Sequence, residues 1–189
     1  MRLFVAIAVS PDISSAIAAL VQELRPSAPQ AKWVRTENMH ITLKFIGGTD
    51  PGNLHRIQSA LASIRSDQPV TLEFRGVGFF SSEKRPRVLW IGTESSPNLK
   101  TLAADIDHSL HQLGFPLENR PFTPHLTLAR FNIPGLPPKL AAASKENATR
   151  SFGSLTSREF HLIESKLKST GAEYTTLHSF PFVAEHSRS

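Results

Sequence analysis

His40-Ile41-Thr42-Leu43-Lys44-Phe45-Ile46-Gly47 and His125-Leu126-Thr127-Leu128-Ala129-Arg130-Phe131 are two versions of one phrase. Each is an apolar, β-branched run of the kind that forms a buried strand. Side chains alternate between the faces of a strand, so His40 and Thr42 share one face while Ile41 and Leu43 point the other way. His125 and Thr127 stand in the same relation to Leu126 and Leu128. Each strand therefore presents one imidazole and one hydroxyl side by side.

The repetition extends outward from the phrase. Ile13, Ile17, Leu20, Val21 and Leu24 give a helical period before His40, and Leu99, Leu102, Ile106, Leu110 and Leu113 give another before His125. A second helical stretch follows each phrase: Leu54, Ile57, Leu61 and Ile64 in the first half, and the segment opened by Pro137-Pro138 in the second. Strand-like runs VTLEFRGV and RVLWIGT close the first half, REFHLIESKL and EYTTLHSFPF the second. The fold expected is a single bilobal α+β domain with a pseudo-two-fold repeat, approximately over residues 12–94 and 97–182. Two antiparallel sheets line a central cleft and helices lie outside.

Composition agrees with this. A chain of 189 residues can bury a sizeable core. The apolar start LFVAIAV, followed at once by Pro11-Asp12, reads as a first strand, and no stretch is long enough to span a membrane as a helix. With no cysteine there is no disulfide, thiolate nucleophile or cysteine metal site, which suits a reducing cytoplasm. The C-terminal EHSRS is a polar tail. A net charge of +5 favours an anionic partner. The densest basic run, Ser81-Ser82-Glu83-Lys84-Arg85-Pro86-Arg87, is expected as a hairpin loop, where Lys84 and Arg85 can touch the phosphates of a nucleotide chain or simply be solvated.

Two His-x-Thr pairs facing each other suit in-line displacement at a phosphodiester. One imidazole can take a proton from water and the other can give one to the departing oxygen, since the ordinary histidine pKa is about 6.5. The hydroxyls of Thr42 and Thr127 can donate to the non-bridging oxygens as charge builds there. This scheme needs neither metal nor cofactor, and no H-E-x-x-H, H-x-H or phosphate-binding G-x-x-x-x-G-K-[ST] sequence occurs. His108 and His111, three apart on a helix, more simply occupy a solvated flank. Taken alone, H-x-T-L is a short phrase and each histidine could be an ordinary core residue; two copies at equivalent places in a repeat are hard to dismiss.

The paired motifs, the lead-in KWVRTENMHITLKFIG, the second motif as RPFTPHLTLARF and the ending IESKLKSTGAEYTTLHSFPF resemble the RNA 2′,3′-cyclic phosphodiesterases of the two-histidine phosphoesterase superfamily, also called 2′-5′ RNA ligase-like proteins. The resemblance spans about Arg2 to Phe182. It implies metal- and ATP-independent hydrolysis of a terminal 2′,3′-cyclic phosphate to a 2′-phosphomonoester, with a weak reverse 2′-5′ joining of tRNA halves. It implies His40 as proton donor, His125 as proton acceptor, and Thr42 and Thr127 as phosphate ligands. The residues by themselves do not say which histidine is which.

Family members often carry a basic phosphate ligand just after the second motif, here Arg130, but simple alternation puts it on the face opposite His125. A bulge after Leu128, or the strand twisting out of the sheet near Asn132-Ile133-Pro134, would bring it back. Alternation places Lys44, by contrast, beside His40 and Thr42 as a rival cation. The substrate expected is RNA with a 2′,3′-cyclic end, tRNA halves included, or a cyclic nucleotide, handled by a monomer. The alternatives are another two-histidine phosphoesterase acting on a different cyclic nucleotide or a 2′-5′ oligonucleotide, or a module that holds RNA ends without turnover.

Overall fold

In the computed structural model, residues 1–82, 84–169 and 171–182 are described. The EHSRS tail lies outside them. The elements in chain order are β1 (Arg2–Ala8), α1 (Pro11–Leu24), β2 (Lys32–Trp33), β3 (His40–Gly48), α2 (Leu54–Ala62), β4 (Val70–Ser82), β5 (Arg85–Ser95), α3 (Asn98–His111), β6 (His125–Arg130), α4 (Pro138–Glu146), β7 (Ser151–Ser157), β8 (Glu159–Lys168) and β9 (Gly171–Pro181).

The helices follow from the spacing of their apolar residues. Ile13, Ile17, Leu20, Val21 and Leu24 make one buried stripe of α1, with Pro11 in its first turn, where a missing N–H costs nothing, and Pro26 just beyond its end. Leu99, Leu102, Ile106 and Leu110 do the same for α3. All four helices bury these stripes with Ile41, Leu43, Leu126 and Leu128 in one large core. Among the described residues, the opposite, cleft face carries a small separate cluster of Phe4, Ala6 and Ile163, with Tyr174 packed on it.

The strands run β7-β4-β5-β6-β3-β1-β8-β9, with β2 added beside β6. Every pairing is antiparallel. The order is symmetric about the junction of β6 and β3, the two motif strands. There the two expected sheets meet through one backbone pair, Ile41 with Leu126. The lobes are not sequence halves: β4 and β5 from the first half flank β6, while β8 and β9 from the second flank β1 and β3. The expected loop Ser81–Arg87 is also mostly strand, with Ser81 paired to Pro86 and Ser82 to Arg85. Among the described residues no helix is long and apolar enough to cross a membrane.

Candidate active site

The single β3–β6 pair sets the site. Antiparallel register around Ile41–Leu126 puts His40 across from Thr127, and Thr42 across from His125, on the face away from the core. Directly opposed side chains in such a pair stand about 5 Å apart at Cβ, so the four polar groups form one compact set with the imidazoles on a diagonal.

Both motif strands carry a bulge at the same place. On β6, Thr127 pairs with Trp90 and Ala129 with Leu89, which leaves Leu128 as an extra residue. On β3, Thr42 pairs with Ala6 and Lys44 with Val5, which leaves Leu43 extra. Each bulge reverses the alternation beyond it. Arg130 is thereby returned to the cleft face, opposite Val88, and its charge depresses the pKa of both His40 and His125. The same reversal corrects the expectation for Lys44. It is turned into the core face, 6 % exposed, with Nζ 2.5 Å from the Asp107 carboxylate. The cleft position on β3 that matches Arg130 is filled by Phe45, 58 % exposed.

The imidazoles are held alike. His40 Nδ1 lies 2.6 Å from the Asn38 carbonyl, and His125 Nδ1 lies 2.8 Å from the Thr123 carbonyl. A carbonyl oxygen only accepts, so each Nδ1 carries a hydrogen and each Nε2 is left to exchange a proton. Burial pushes both pKa values below the ordinary histidine value; the carbonyl bonds oppose the shift and the Arg130 charge adds to it. The charge of His125 also lowers His40, so the two are near neighbours.

Aromatic rings pack against both histidines. The His40 ring lies 4.8 Å from Phe4 and 5.4 Å, edge on, from Tyr174. The His125 ring meets Phe80 edge on at 4.7 Å, and Phe80 in turn packs on Trp90 at 5.4 Å. Asn38 Nδ2 donates to the Ala172 carbonyl at 2.9 Å, which fastens the turn before His40 to the strand that carries Tyr174. Neither Phe4, Phe45, Trp90 nor Tyr174 stands out in the sequence as a site residue. The usable signal was that Phe45, like Arg130, stands five residues after its histidine.

Lys84 and Arg85 are exposed at the turn between β4 and β5. His108 lies 3.3 Å from Gln112 and His111 lies 3.0 Å from the Phe115 carbonyl, each by a single nitrogen. Among the described residues no three His, Cys, Asp or Glu side chains are grouped to hold a metal.

The family model for LigT-like phosphoesterase matches twice, over residues 7–90 and 91–174. The chain is 35 % identical over 180 residues to an RNA 2′,3′-cyclic phosphodiesterase of Archaeoglobus fulgidus, covering 95 % of this chain and 99 % of that one. It is 31 % identical over 181 residues to one of Methanothermobacter thermautotrophicus, covering 95 % and 98 %. Among solved structures it is similar to a Thermus thermophilus protein, with TM-score 0.79 and 29 % identity over 98 % of this chain and all of that one. It is also similar to Escherichia coli LigT complexed with 3′-AMP, with TM-score 0.75 and 26 % identity over 97 % and 98 %.

Proposed function

The chain belongs to the LigT-like phosphoesterase family, and we propose that it hydrolyses the 2′,3′-cyclic phosphate at an RNA end to a 2′-phosphomonoester. The observation that carries the chemistry is the pair of imidazoles, each pinned at Nδ1 by the carbonyl two residues back and set diagonally across the β3–β6 junction. His125 Nε2 takes a proton from water, whose oxygen attacks phosphorus in line with the 3′-oxygen. The P–O3′ bond breaks and its electron pair leaves with O3′. His40 Nε2 delivers the proton that makes O3′ a hydroxyl, and the phosphate stays on O2′. Thr42, Thr127 and Arg130 hold the non-bridging oxygens, with Arg130 supplying the full positive charge.

Phe45 offers the terminal base a ring to stack on, on the lobe opposite Arg130. The bound nucleotide thus has a distinguishable base side and phosphate side. The two motifs come from one chain, so a monomer is complete. A single bilobal domain with repeats near 12–94 and 97–182 is part of this reading, supported by the family model matching once in each half. Ends of tRNA halves are suitable substrates, and a cytoplasmic setting fits a cysteine-free chain. Escherichia coli LigT in complex with 3′-AMP also favours a second reading, in which a free cyclic mononucleotide is accepted.

The test is incubation with an RNA oligonucleotide ending in 2′,3′-cyclic phosphate, in the presence of EDTA, with phosphate position read by 31P NMR. A 2′-phosphate is expected. A 3′-phosphate product, or activity that appears only on adding a divalent ion, defeats the proposal.

A further inference from the structure

Lys44 is a lysine where the fold should want an apolar residue. The Leu43 bulge turns it away from the cleft, and its Nζ sits 2.5 Å from Asp107 Oδ1 with side-chain exposures of 5 % and 19 %. A buried ammonium without a partner is costly, so this pair is held together strongly, although replacing both members by apolar groups is often neutral for stability. Its location is what gives it meaning. Lys44 is four residues beyond His40 on β3, and its Nζ also donates to the Pro116 carbonyl at 2.7 Å. Asp107, on α3, accepts from the Glu118 N–H at 3.1 Å through Oδ2 and 3.3 Å through Oδ1.

Pro116 and Glu118 belong to the segment 112–124, which has no helix or strand and ends at His125. That segment supplies the Thr123 carbonyl that orients the His125 ring. The motif strands themselves share one backbone pair. Lys44 and Asp107 therefore tie the strand of one histidine to the lead-in of the other, on the core side of the sheet.

We propose that Lys44 and Asp107 are positioning residues, which set the placement of His125 relative to His40 without touching substrate. This rests on the two-histidine reading of the site. A misplacement of about 1 Å between reacting groups can cost roughly 100-fold in rate, so the pair should act on kcat.

The experiment compares Lys44→Met, which keeps an apolar stem of similar length, with the double variant Lys44→Met/Asp107→Leu, which leaves no unpaired buried charge. Thermal stability, kcat and KM on the cyclic substrate, and the 1H–15N ring signals of the histidines are measured for each. Lys44→Met should lose stability and lower kcat by about 10- to 100-fold with KM nearly unchanged. The double variant should recover the melting temperature but not kcat, and its His125 ring signals should move while those of His55 stay. A double variant with wild-type kcat and unmoved His125 signals overturns the proposal, as does a rise in KM at constant kcat, which would mean contact with substrate. Should Lys44→Met fail to fold, the double variant decides alone. Should the wild-type protein not hydrolyse the cyclic phosphate, the functional proposal fails by itself and the His125 signals still judge the positioning.

Discussion

Among single residues, proton transfer and phosphate binding should fail differently. His40→Ala and His125→Ala should each cost roughly 10²–10⁴-fold in turnover, and the double variant less than the product, because the pair acts as a unit. Thr42→Ala and Thr127→Ala each remove one neutral donor, about 1 kcal/mol or roughly fivefold. Arg130→Ala should be harsher, since a charged donor to developing negative charge is worth about 10²–10³-fold. Phe45→Ala should instead raise KM, by the equivalent of about 1–3 kcal/mol of base stacking, with kcat little changed. Steady-state kinetics on folded protein checks all of these; histidine variants with near wild-type rates would remove both residues from the chemistry.

The same side chains set the pH profile of kcat/KM, which reports the free enzyme. The proposed mechanism needs one histidine charged while the other is neutral, so the profile should be a bell whose limbs belong to the coupled pair. Burial and Arg130 lower both pKa values, so the maximum should fall on the acid side of the ordinary histidine value of about 6.5. A bell centred above neutrality would contradict the assignment.

Among the strands, the cleft wall beside His125 depends on two glycines. A Cβ at Gly78 would lie 2.4 Å from Trp90 Cη2, and one at Gly92 would lie 2.6 Å from the Arg75 carbonyl oxygen. Trp90 pairs with Thr127 and shares its face, so Gly78→Ala must push that ring toward the motif strand. We expect Gly78→Ala to cost about 1–3 kcal/mol in stability by overpacking and to reduce turnover as well. Denaturant titration and kinetics on the same sample check this, and an unchanged midpoint would show that the ring has room to move. Strand and helix placement was legible here because apolar spacing at periods of two and near four reports which face is buried. β7 and β2 carry no such signal: Ser151–Ser157 has few apolar residues and β2 is two residues long, too short to show a period.

Across the protein as a unit, the half-buried histidines couple folding to pH. Their folded pKa values lie below the unfolded value, so between the two the unfolded chain binds more protons. Stability should therefore rise with pH across that window and fall on acidification from about 6.5 downward. A His40→Gln/His125→Gln variant should lose part of this slope in guanidinium titrations at pH 5 and pH 7; equal slopes would mean that these histidines are not buried as neutral groups. The basic surface makes a separate prediction. Replacing Lys84 and Arg85 by Ala should weaken binding of long RNA and flatten its salt dependence, with the logarithmic slope falling by about one for each phosphate no longer neutralised, while cyclic mononucleotide turnover stays nearly intact.

The residues alone were enough to specify the two strands, the imidazole and hydroxyl sharing a face on each, and the apolar stripes of the helices. All of these are local: they depend on alternation within four residues and on apolar spacing within a helix. Which cation enters the cleft needed the folded chain. Arg130 faces it and Lys44 does not, because bulges at Leu128 and Leu43 reverse the alternation, and a bulge is defined by two residues facing one on a partner strand far away in the chain. The interleaving of the two halves has the same origin. Which hairpin flanks which motif strand is settled by long-range backbone pairing and by the helices that must cover one face, and no short window of sequence carries that information.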